Sequence, residues 1–194
     1  IQAGLTYRIE NITEDSKEYE MRDSSGYSIP HTGEDLYMIY SLKAKNTLDA
    51  NRLETYIQDT WRFSSKGEHT FFTLNYGIRF SHWNFNKESI ISPRISLGIV
   101  PAFNHDVTMR FATGIYYQAP FYKELRDTTT INGITYATLN NKIKSQRSIH
   151  FIAGFDYRFK MKDRPYKFTA EAYYKALSNL VPYTVDNVKI VYDA

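Results

Sequence analysis

Side chains that could act in catalysis or bind a metal are scattered along this chain. Five histidines occur without a His-x-His or His-x-x-x-His pair, and the chain has no cysteine: His31, His69, His82, His105 and His150. A thiolate metal site and a cysteine nucleophile are therefore excluded. The sequence also lacks a Gly-x-Ser-x-Gly elbow and both glycine-rich phosphate-binding motifs. We expect no catalytic residue, no metal site and no cofactor, and hence no enzyme.

Acidic residues concentrate in the segment that follows the first strand-like stretch. Two adjacent pairs stand out, Glu14 with Asp15 and Glu34 with Asp35. A calcium loop would need an Asp-x-Asp-x-Asp-Gly spacing, which neither pair has. A solvated loop is the interpretation that we favour.

The segment from Tyr116 to Leu125 is crowded with aromatic residues. Tyr and Phe provide large contact areas for sugars and other flat ligands at little entropic cost. We predict ligand contacts from five residues here: Tyr116, Gln118, Phe121, Tyr122 and Glu124. Pro120 cannot donate a ladder hydrogen bond, so we expect the segment after it to be a loop that closes over a ligand. The alternative is an aromatic girdle that continues into a packed loop.

The elements that position these residues show a period of two, which is typical of β-strands. Between Phe72 and Phe80, every even residue is apolar, while the odd residues run Thr73, Asn75, Gly77, Arg79. Seven such segments are visible, with an eighth beginning near the end: 1–10, 52–63, 72–80, 94–100, 107–117, 149–159 and 168–175, then 188–192. The pattern predicts an all-β fold, an antiparallel up-and-down meander of about seven to eight long strands. Residues 36–48 could instead form a helix. The sequence contains no stretch that is long and apolar enough for a transmembrane helix.

Short and long connections alternate along the predicted meander. Ser64–His69, Pro101–Asp106 and Lys160–Pro165 are short turns, whereas long connections follow the intervening strands. All long connections therefore lie at one end of the sheet, as in outer-membrane barrels, which have short periplasmic turns and long outer loops. This arrangement predicts a transmembrane β-barrel in a bacterial outer membrane, with membrane lipid as a partner. The net charge of +3 gives no support for nucleic-acid binding.

The polar face of the predicted strands combines glycine and small residues with arginine. We predict that five charged residues face the barrel lumen or a plug within it: Arg79, Arg94, Arg110, Arg158 and Glu171. Arginine among small residues is typical of an enclosed polar wall, whereas a solvent-facing surface mixes lysine and glutamate. An ordinary exposed sheet face remains the alternative. Asp59 falls among apolar residues, which indicates a bulge or an interface position.

Aromatic residues cluster near both ends of the predicted strands. Trp61, Phe63, Phe72, Phe159 and Phe168 lie next to the short turns, and Trp83, Phe85, Tyr116, Tyr117 and Tyr174 lie near the opposite ends. Two interfacial girdles of a membrane barrel would have this distribution.

Several strings of residues, in their order, resemble the barrel of a TonB-dependent outer-membrane receptor of the Bacteroidetes type. The strings are Leu74-Asn75-Tyr76-Gly77-Ile78-Arg79-Phe80, Ser92-Pro93-Arg94-Ile95-Ser96-Leu97, Arg110-Phe111-Ala112-Thr113-Gly114-Ile115-Tyr116-Tyr117-Gln118-Ala119-Pro120 and Thr169-Ala170-Glu171-Ala172-Tyr173-Tyr174-Lys175, followed by Asn179-Leu180-Val181-Pro182-Tyr183. The segment Tyr56-Ile57-Gln58-Asp59-Thr60-Trp61 is similar to a strand start of such barrels. The resemblance covers the chain from about Leu53 onward.

The resemblance implies a barrel of about 22 strands closed around an N-terminal plug domain. It further implies energy coupling to the TonB protein through a segment of the plug, and uptake of a ferric siderophore, cobalamin, a glycan or a similar scarce nutrient. Residues 1–194 would then be the C-terminal part of the barrel, without the plug and the remaining strands.

Two alternatives remain open from the sequence. One is a complete eight-stranded outer-membrane barrel, for which the length is natural. The other is a soluble β-barrel that binds a ligand inside and points Phe72, Leu74, Tyr76, Ile78 and Phe80 inward.

Overall fold

The structure, a computed structural model, describes residues 1–22, 37–65, 67, 69–185 and 190–192. These ranges contain eleven strands and one short 3₁₀ helix, Tyr122–Leu125. The strands are β1 (Gln2–Arg22), β2 (Tyr37–Ser64), β3 (Phe71–Trp83), β4 (Glu88–Val100), β5 (Val107–Gln118), β6 (Arg126–Ile131), β7 (Ile134–Leu139), β8 (Gln146–Met161), β9 (Arg164–Ser178), β10 (Tyr183–Val185) and β11 (Ile190–Tyr192). The predicted all-β class is confirmed. The helical alternative for residues 36–48 is wrong, because all of them that are described belong to β2.

Nine of these strands form one sheet, and β10 and β11 form a separate pair. The chain meanders from β1 through β5 and continues with β8 and β9, and the successive pairs from β2 to β9 along this path are antiparallel. The described part of the chain has no helix that is long and apolar enough to cross a membrane. The predicted meander is therefore confirmed, although several strands are longer than the alternating segments.

The hairpin β6–β7 is an addition that the periodicity did not predict. It is inserted between β5 and β8, and β7 pairs in parallel with β2 over three residues, Leu42 to Ala44. Asn132 and Gly133 both have positive φ, 52° and 76°, at its tip. An Asn-Gly pair between strands is a strong hairpin signal because both residues tolerate this conformation. The sequence thus carried a signal for the hairpin within its Thr-rich segment.

The chain divides into two compact units. The first, which we call the meander unit, comprises Ile1–Arg8, Asn51–Ala119 and Lys144–Leu180. The second, which we call the hairpin unit, comprises Ile9–Ala50, Pro120–Ile143 and Val181–Ala194. In the hairpin unit, Leu42, Ala44 and Ala137 are buried together at the β2–β7 contact, and Tyr40 packs against them.

The register of the meander unit separates an apolar face from a polar face, since residues directly opposite each other on neighbouring strands share a face. One row across the sheet runs Leu74, Leu97, Phe111, Ala153, Ala172. The row beside it runs Thr73, Gly98, Arg110, Gly154, Glu171. The alternation thus predicted correctly which residues lie on the apolar face and which lie on the polar face.

Asp59 lies on the apolar face without a bulge. Residues Arg52 to Ser64 pair with Trp83 to Phe71 without interruption, and Asp59 stands opposite Tyr76. The Tyr76 hydroxyl donates to the Asp59 carboxylate at 3.3 Å. Of the two alternatives predicted for Asp59, the bulge is therefore wrong, and the interface position stays a prediction.

Aromatic rings pack together next to the short turns. Phe63 stacks on Phe72 with 5.0 Å between ring centroids, and Phe159 stacks on Tyr157 and Tyr166 at 5.5 and 5.6 Å. The second predicted girdle is wrong in part. Trp83 stands opposite Arg52 and Glu88, shares the polar face with them and is 4% exposed.

Candidate functional site

The polar face of the meander unit holds a stack of three side chains around Tyr116. Arg94 stands opposite Gly77 on one side and Gly114 on the other. Its guanidinium carbon lies 4.7 Å from the centroid of the Tyr116 ring, and that ring lies 4.5 Å from the His150 ring. Such contacts between a guanidinium and an aromatic ring are attractive. The stack therefore holds the Tyr116 ring against the sheet.

Gly114 provides the space for this stack. A Cβ atom at this position would lie 3.1 Å from Cε2 of Tyr116 and 3.2 Å from Cγ of Arg94. Real Cβ atoms seldom approach other atoms so closely, so a side chain here would displace both neighbours. Gly114, which stands between Arg94 and His150, therefore allows these side chains to pack on the polar face.

A second arginine anchors an ionic group nearer the short turns. Arg110 Nη2 lies 3.2 Å from Asp156 Oδ1, and Lys167 Nζ lies 3.3 Å from Asp156 Oδ2. The Thr169 hydroxyl donates to the same carboxylate at 2.9 Å. Asp156 is buried, and Gly154 leaves room for the Arg110 guanidinium that crosses it. Three donors from β5 and β9 thus meet on one carboxylate of β8.

All five residues that the sequence assigned to the lumen lie in the polar frame. Arg94 and Arg110 are described above, and Glu171 stands opposite Gly154. Arg79 stands opposite Tyr56 and Ser92, and Arg158 stands opposite Lys167. That this face borders a lumen or a plug stays a prediction.

Sequence reasoning missed an interaction between Glu88 and Ser145. The Glu88 carboxylate accepts hydrogen bonds from the Ser145 hydroxyl at 2.6 Å and from its backbone N–H at 3.0 Å. Ser145 is fully buried, so these bonds satisfy donors that water cannot reach. The contact fixes the start of β8 to β4, and no local sequence signal identifies a pair so far apart in the chain.

The hairpin unit has its own polar cluster around Glu14. The Glu14 carboxylate accepts hydrogen bonds from Tyr122 Oη at 2.8 Å, Arg126 Nη1 at 3.0 Å and Asn46 Nδ2 at 3.1 Å. These donors come from the 3₁₀ helix, β6 and β2. Sequence reasoning placed Glu14 in a solvated acidic loop, which is wrong, because its side chain is only 16% exposed.

Ionisation of the Glu14 cluster follows from these contacts. Burial raises the pKa of Glu14, but hydrogen bonds from Asn46 and Tyr122 and the charge of Arg126 outweigh burial, and the pKa lies below its ordinary value of 4.5. Burial and the bond to Glu14 raise the pKa of Tyr122 to about 12. Near neutral pH the carboxylate is therefore ionised and the Tyr122 hydroxyl keeps its proton for donation.

The stability of the hairpin unit should depend on pH through the ionisation of Glu14. A carboxyl group whose pKa is lowered by folding stabilises the fold above its unfolded pKa, and this contribution is lost as pH falls through the folded pKa. We therefore expect Glu14→Gln to destabilise the hairpin unit at neutral pH, and the difference from wild type to shrink below about pH 4.5. Hydrogen exchange of both proteins across this pH range measures it. A difference that grows on acidification would contradict the assigned ionisation.

The other predicted ligand-contact residues lie in different surroundings. Gln118 is exposed at the end of β5, opposite Gln146. Phe121 is 64% exposed, whereas Glu124 is 8% exposed and accepts a hydrogen bond from the Phe121 backbone N–H at 2.7 Å. The expected open loop after Pro120 is wrong, because a 3₁₀ helix and a hairpin follow, and Tyr122 is bonded to Glu14. Ligand contact by these residues stays a prediction.

The part of the chain that the structure describes contains no cluster of three or more His, Asp or Glu side chains that could hold a metal ion. The acidic pair Glu34 and Asp35 lies outside the described residues.

A meander of long strands with an apolar face, a polar face rich in arginine and aromatic rings at the short turns defines a β-barrel protein of the outer membrane. Comparison with protein families agrees, since the family described as TonB dependent receptor-like, beta-barrel matches residues 2–192. The chain belongs to this family and is part of a TonB-dependent receptor barrel in the outer membrane. The family consists of transporters, not enzymes. Comparisons with curated proteins and with solved structures gave no match.

Proposed function

We propose that the chain forms part of a receptor that imports a scarce nutrient across the outer membrane, driven by the TonB energy-coupling protein. The family match over residues 2–192 is the observation that carries this proposal. Its partners are a small-molecule ligand, the TonB protein and an N-terminal plug domain of the same receptor. The substrate class is a ferric siderophore, cobalamin, a glycan or a similar nutrient.

The two faces of the meander unit support a division of roles. Large apolar side chains are exposed on one face, including Ile78, Ile95 and Phe111 at close to half of their surface. A contiguous apolar surface of this kind is typical of contact with lipid or protein. We assign this face to membrane lipid and the face with Arg79, Arg94 and Arg110 to the lumen and the plug.

Tyr116 is the ligand-contact candidate with the best structural support. The Arg94 and His150 side chains fix its ring, so little side-chain entropy remains to be lost when a ligand binds. Gln118 follows in the same frame of β5. Phe121, Tyr122 and Glu124 belong to the hairpin unit and are assigned as further contacts.

Replacement of Tyr116 and Tyr122 by alanine in the receptor tests this assignment. We expect weaker ligand binding and slower uptake with normal receptor levels, because an aromatic contact contributes about 1 kcal/mol beyond its buried area. The measurements are growth of a receptor-deletion strain, complemented with each variant, on siderophore iron, cobalamin or individual glycans, and binding of the nutrient so identified. Tyr174→Ala is the matched control, since Tyr174 is an exposed aromatic residue on the apolar face. Unchanged affinity in the double variant would leave both residues without a role in binding.

A further inference from the structure

The backbone pairing that joins the hairpin β6–β7 to β2 is short. Among the described residues, three residue pairs join β7 to β2, and their parallel pairing is slightly less stable per residue than antiparallel pairing. The apolar cluster at this contact contains one leucine and two alanines, with Tyr40 beside them. The backbone pairing between β7 and β2 is therefore supplemented by side-chain contacts.

The Glu14 carboxylate of β1 connects β2, the 3₁₀ helix and β6 through hydrogen bonds. Asn46 belongs to β2, Tyr122 to the 3₁₀ helix and Arg126 is the first residue of β6. Their donors converge on the two oxygens of one carboxylate at 2.8 to 3.1 Å. Asn46 also donates from Nδ2 to the backbone oxygen of Ala137 in β7, at 3.1 Å. Loss of the carboxylate would leave a guanidinium and a phenol in the cluster without their acceptor.

We propose that Glu14 is a latch, whose carboxylate fills a site for anionic groups formed by Asn46, Tyr122 and Arg126 and thereby holds the 3₁₀ helix and the β6–β7 hairpin on β1 and β2. While Glu14 occupies this site, Tyr122 and Arg126 are not available to another anion. When Glu14 leaves, the hairpin loses these hydrogen bonds and both donors become free to bind a carboxylate-bearing molecule. Glu14 and an external carboxylate therefore compete for the same two donors, and whichever is bound holds the hairpin closed.

Geometry favours a carboxylate over other occupants of this site. A guanidinium and a phenol hydroxyl reach different oxygens of the same group, Oε1 and Oε2, as a planar two-oxygen acceptor requires. The Arg126 and Glu14 side chains are 22% and 16% exposed, so the ion pair is partly shielded from solvent and salt. An exposed surface pair would lack this shielding.

Hydrogen exchange of residues 126–139 tests the latch, with the receptor in outer-membrane vesicles. We expect Glu14→Gln to speed exchange in this segment by about tenfold, because a neutral amide accepts weaker hydrogen bonds from Tyr122 and Arg126 than a carboxylate does, while β3 to β5 keep wild-type exchange. Glu18→Gln is the matched control, because it removes the same charge from an exposed position of β1. Wild-type exchange in Glu14→Gln would overturn the proposal.

Chemical rescue separates the anion site from a purely structural role. In Glu14→Ala, sodium acetate should restore slow exchange of residues 126–139, since a ligand that binds the closed state stabilises it. Sodium chloride at the same concentration should not. Absence of rescue by acetate, or equal rescue by both salts, would overturn the assignment of a carboxylate site.

Tyr122→Phe provides a milder variant if substitutions at Glu14 prevent insertion of the receptor. It removes one donor and keeps the ring, so it should speed exchange of the same segment by a smaller factor. Wild-type exchange in Tyr122→Phe would then count against the latch. The test needs no nutrient, so failure of the latch and failure of the proposed import function are distinguishable.

Discussion

Leu97→Arg is expected to remove most of the receptor from the outer membrane, whereas Ser96→Arg is expected to leave its level near that of wild type. Leu97 lies in the middle of the apolar face, opposite Leu74 and Phe111. An arginine on the lipid face of a membrane barrel costs about 2 to 4 kcal/mol near the bilayer midplane. This cost is a large part of the net stability of a typical folded protein.

Ser96→Arg is the matched control for the loss of receptor expected in Leu97→Arg. Ser96 stands opposite Asn75 and Ala112 on the polar face, and its hydroxyl accepts a hydrogen bond from Asn75 at 3.1 Å. The added side chain is the same, the strand is the same, and only the face differs. Receptor levels in purified outer membranes and urea unfolding of the two variants provide the comparison. Equal levels of the two variants, or a larger loss for Ser96→Arg, would reverse the assignment of the faces.

Leu125→Ala is expected to open the hairpin unit locally, with a loss of about 2 to 5 kcal/mol, as for other fully buried leucines. Leu125 is 1% exposed, and its backbone oxygen accepts a hydrogen bond from the Asn140 N–H at 2.7 Å. Truncation leaves a cavity under the 3₁₀ helix, at the base of the hairpin. We therefore expect faster hydrogen exchange and faster proteolysis in residues 120–143.

Ile131→Ala is the control for this prediction, since Ile131 lies in the same hairpin and is 55% exposed. Its truncation removes little buried surface and should change exchange only slightly. If both variants behaved alike, burial of the Leu125 side chain would not stabilise the hairpin unit. The contrast does not depend on the Glu14 latch, because neither residue takes part in the Glu14 hydrogen bonds.

The strands of the meander unit were predictable because the alternation of side chains between the two faces can be read from residues adjacent in the sequence. A residue in a strand points to the face opposite that of its neighbours, so a one-residue error would place Ile78 and Arg79 on the wrong faces. The alternation between Phe72 and Phe80 is strict enough to fix this frame. Asp59 shows the limit of the method. The sequence identified it as an exception, but only the register with Tyr76 shows that the ladder continues through it.

The hairpin unit was less predictable because its contacts are distant in the sequence. Tyr122 and Arg126 lie 108 and 112 residues from Glu14, and no periodic pattern connects them. The aromatic composition and Pro120 led to the prediction that Tyr122 lies on a loop and contacts a ligand, and neither signal reveals its hydrogen bond to Glu14. The Asn132-Gly133 turn was a usable local signal for the hairpin, whereas the parallel pairing of β7 with β2 depends on tertiary packing that the sequence pattern does not encode.

Site-directed spin labelling along β3 tests most directly whether the apolar face meets lipid. These 194 residues contain no cysteine, so single cysteines at positions 72 to 80 can each carry a nitroxide without a competing label elsewhere in this part of the receptor. In vesicles, collision with oxygen, which dissolves in lipid, should be high at the even positions 72, 74, 76, 78 and 80. Collision with a water-soluble nickel complex should be higher at the odd positions. Oxygen collision that is high at the odd positions instead, or that shows no alternation, would contradict the account.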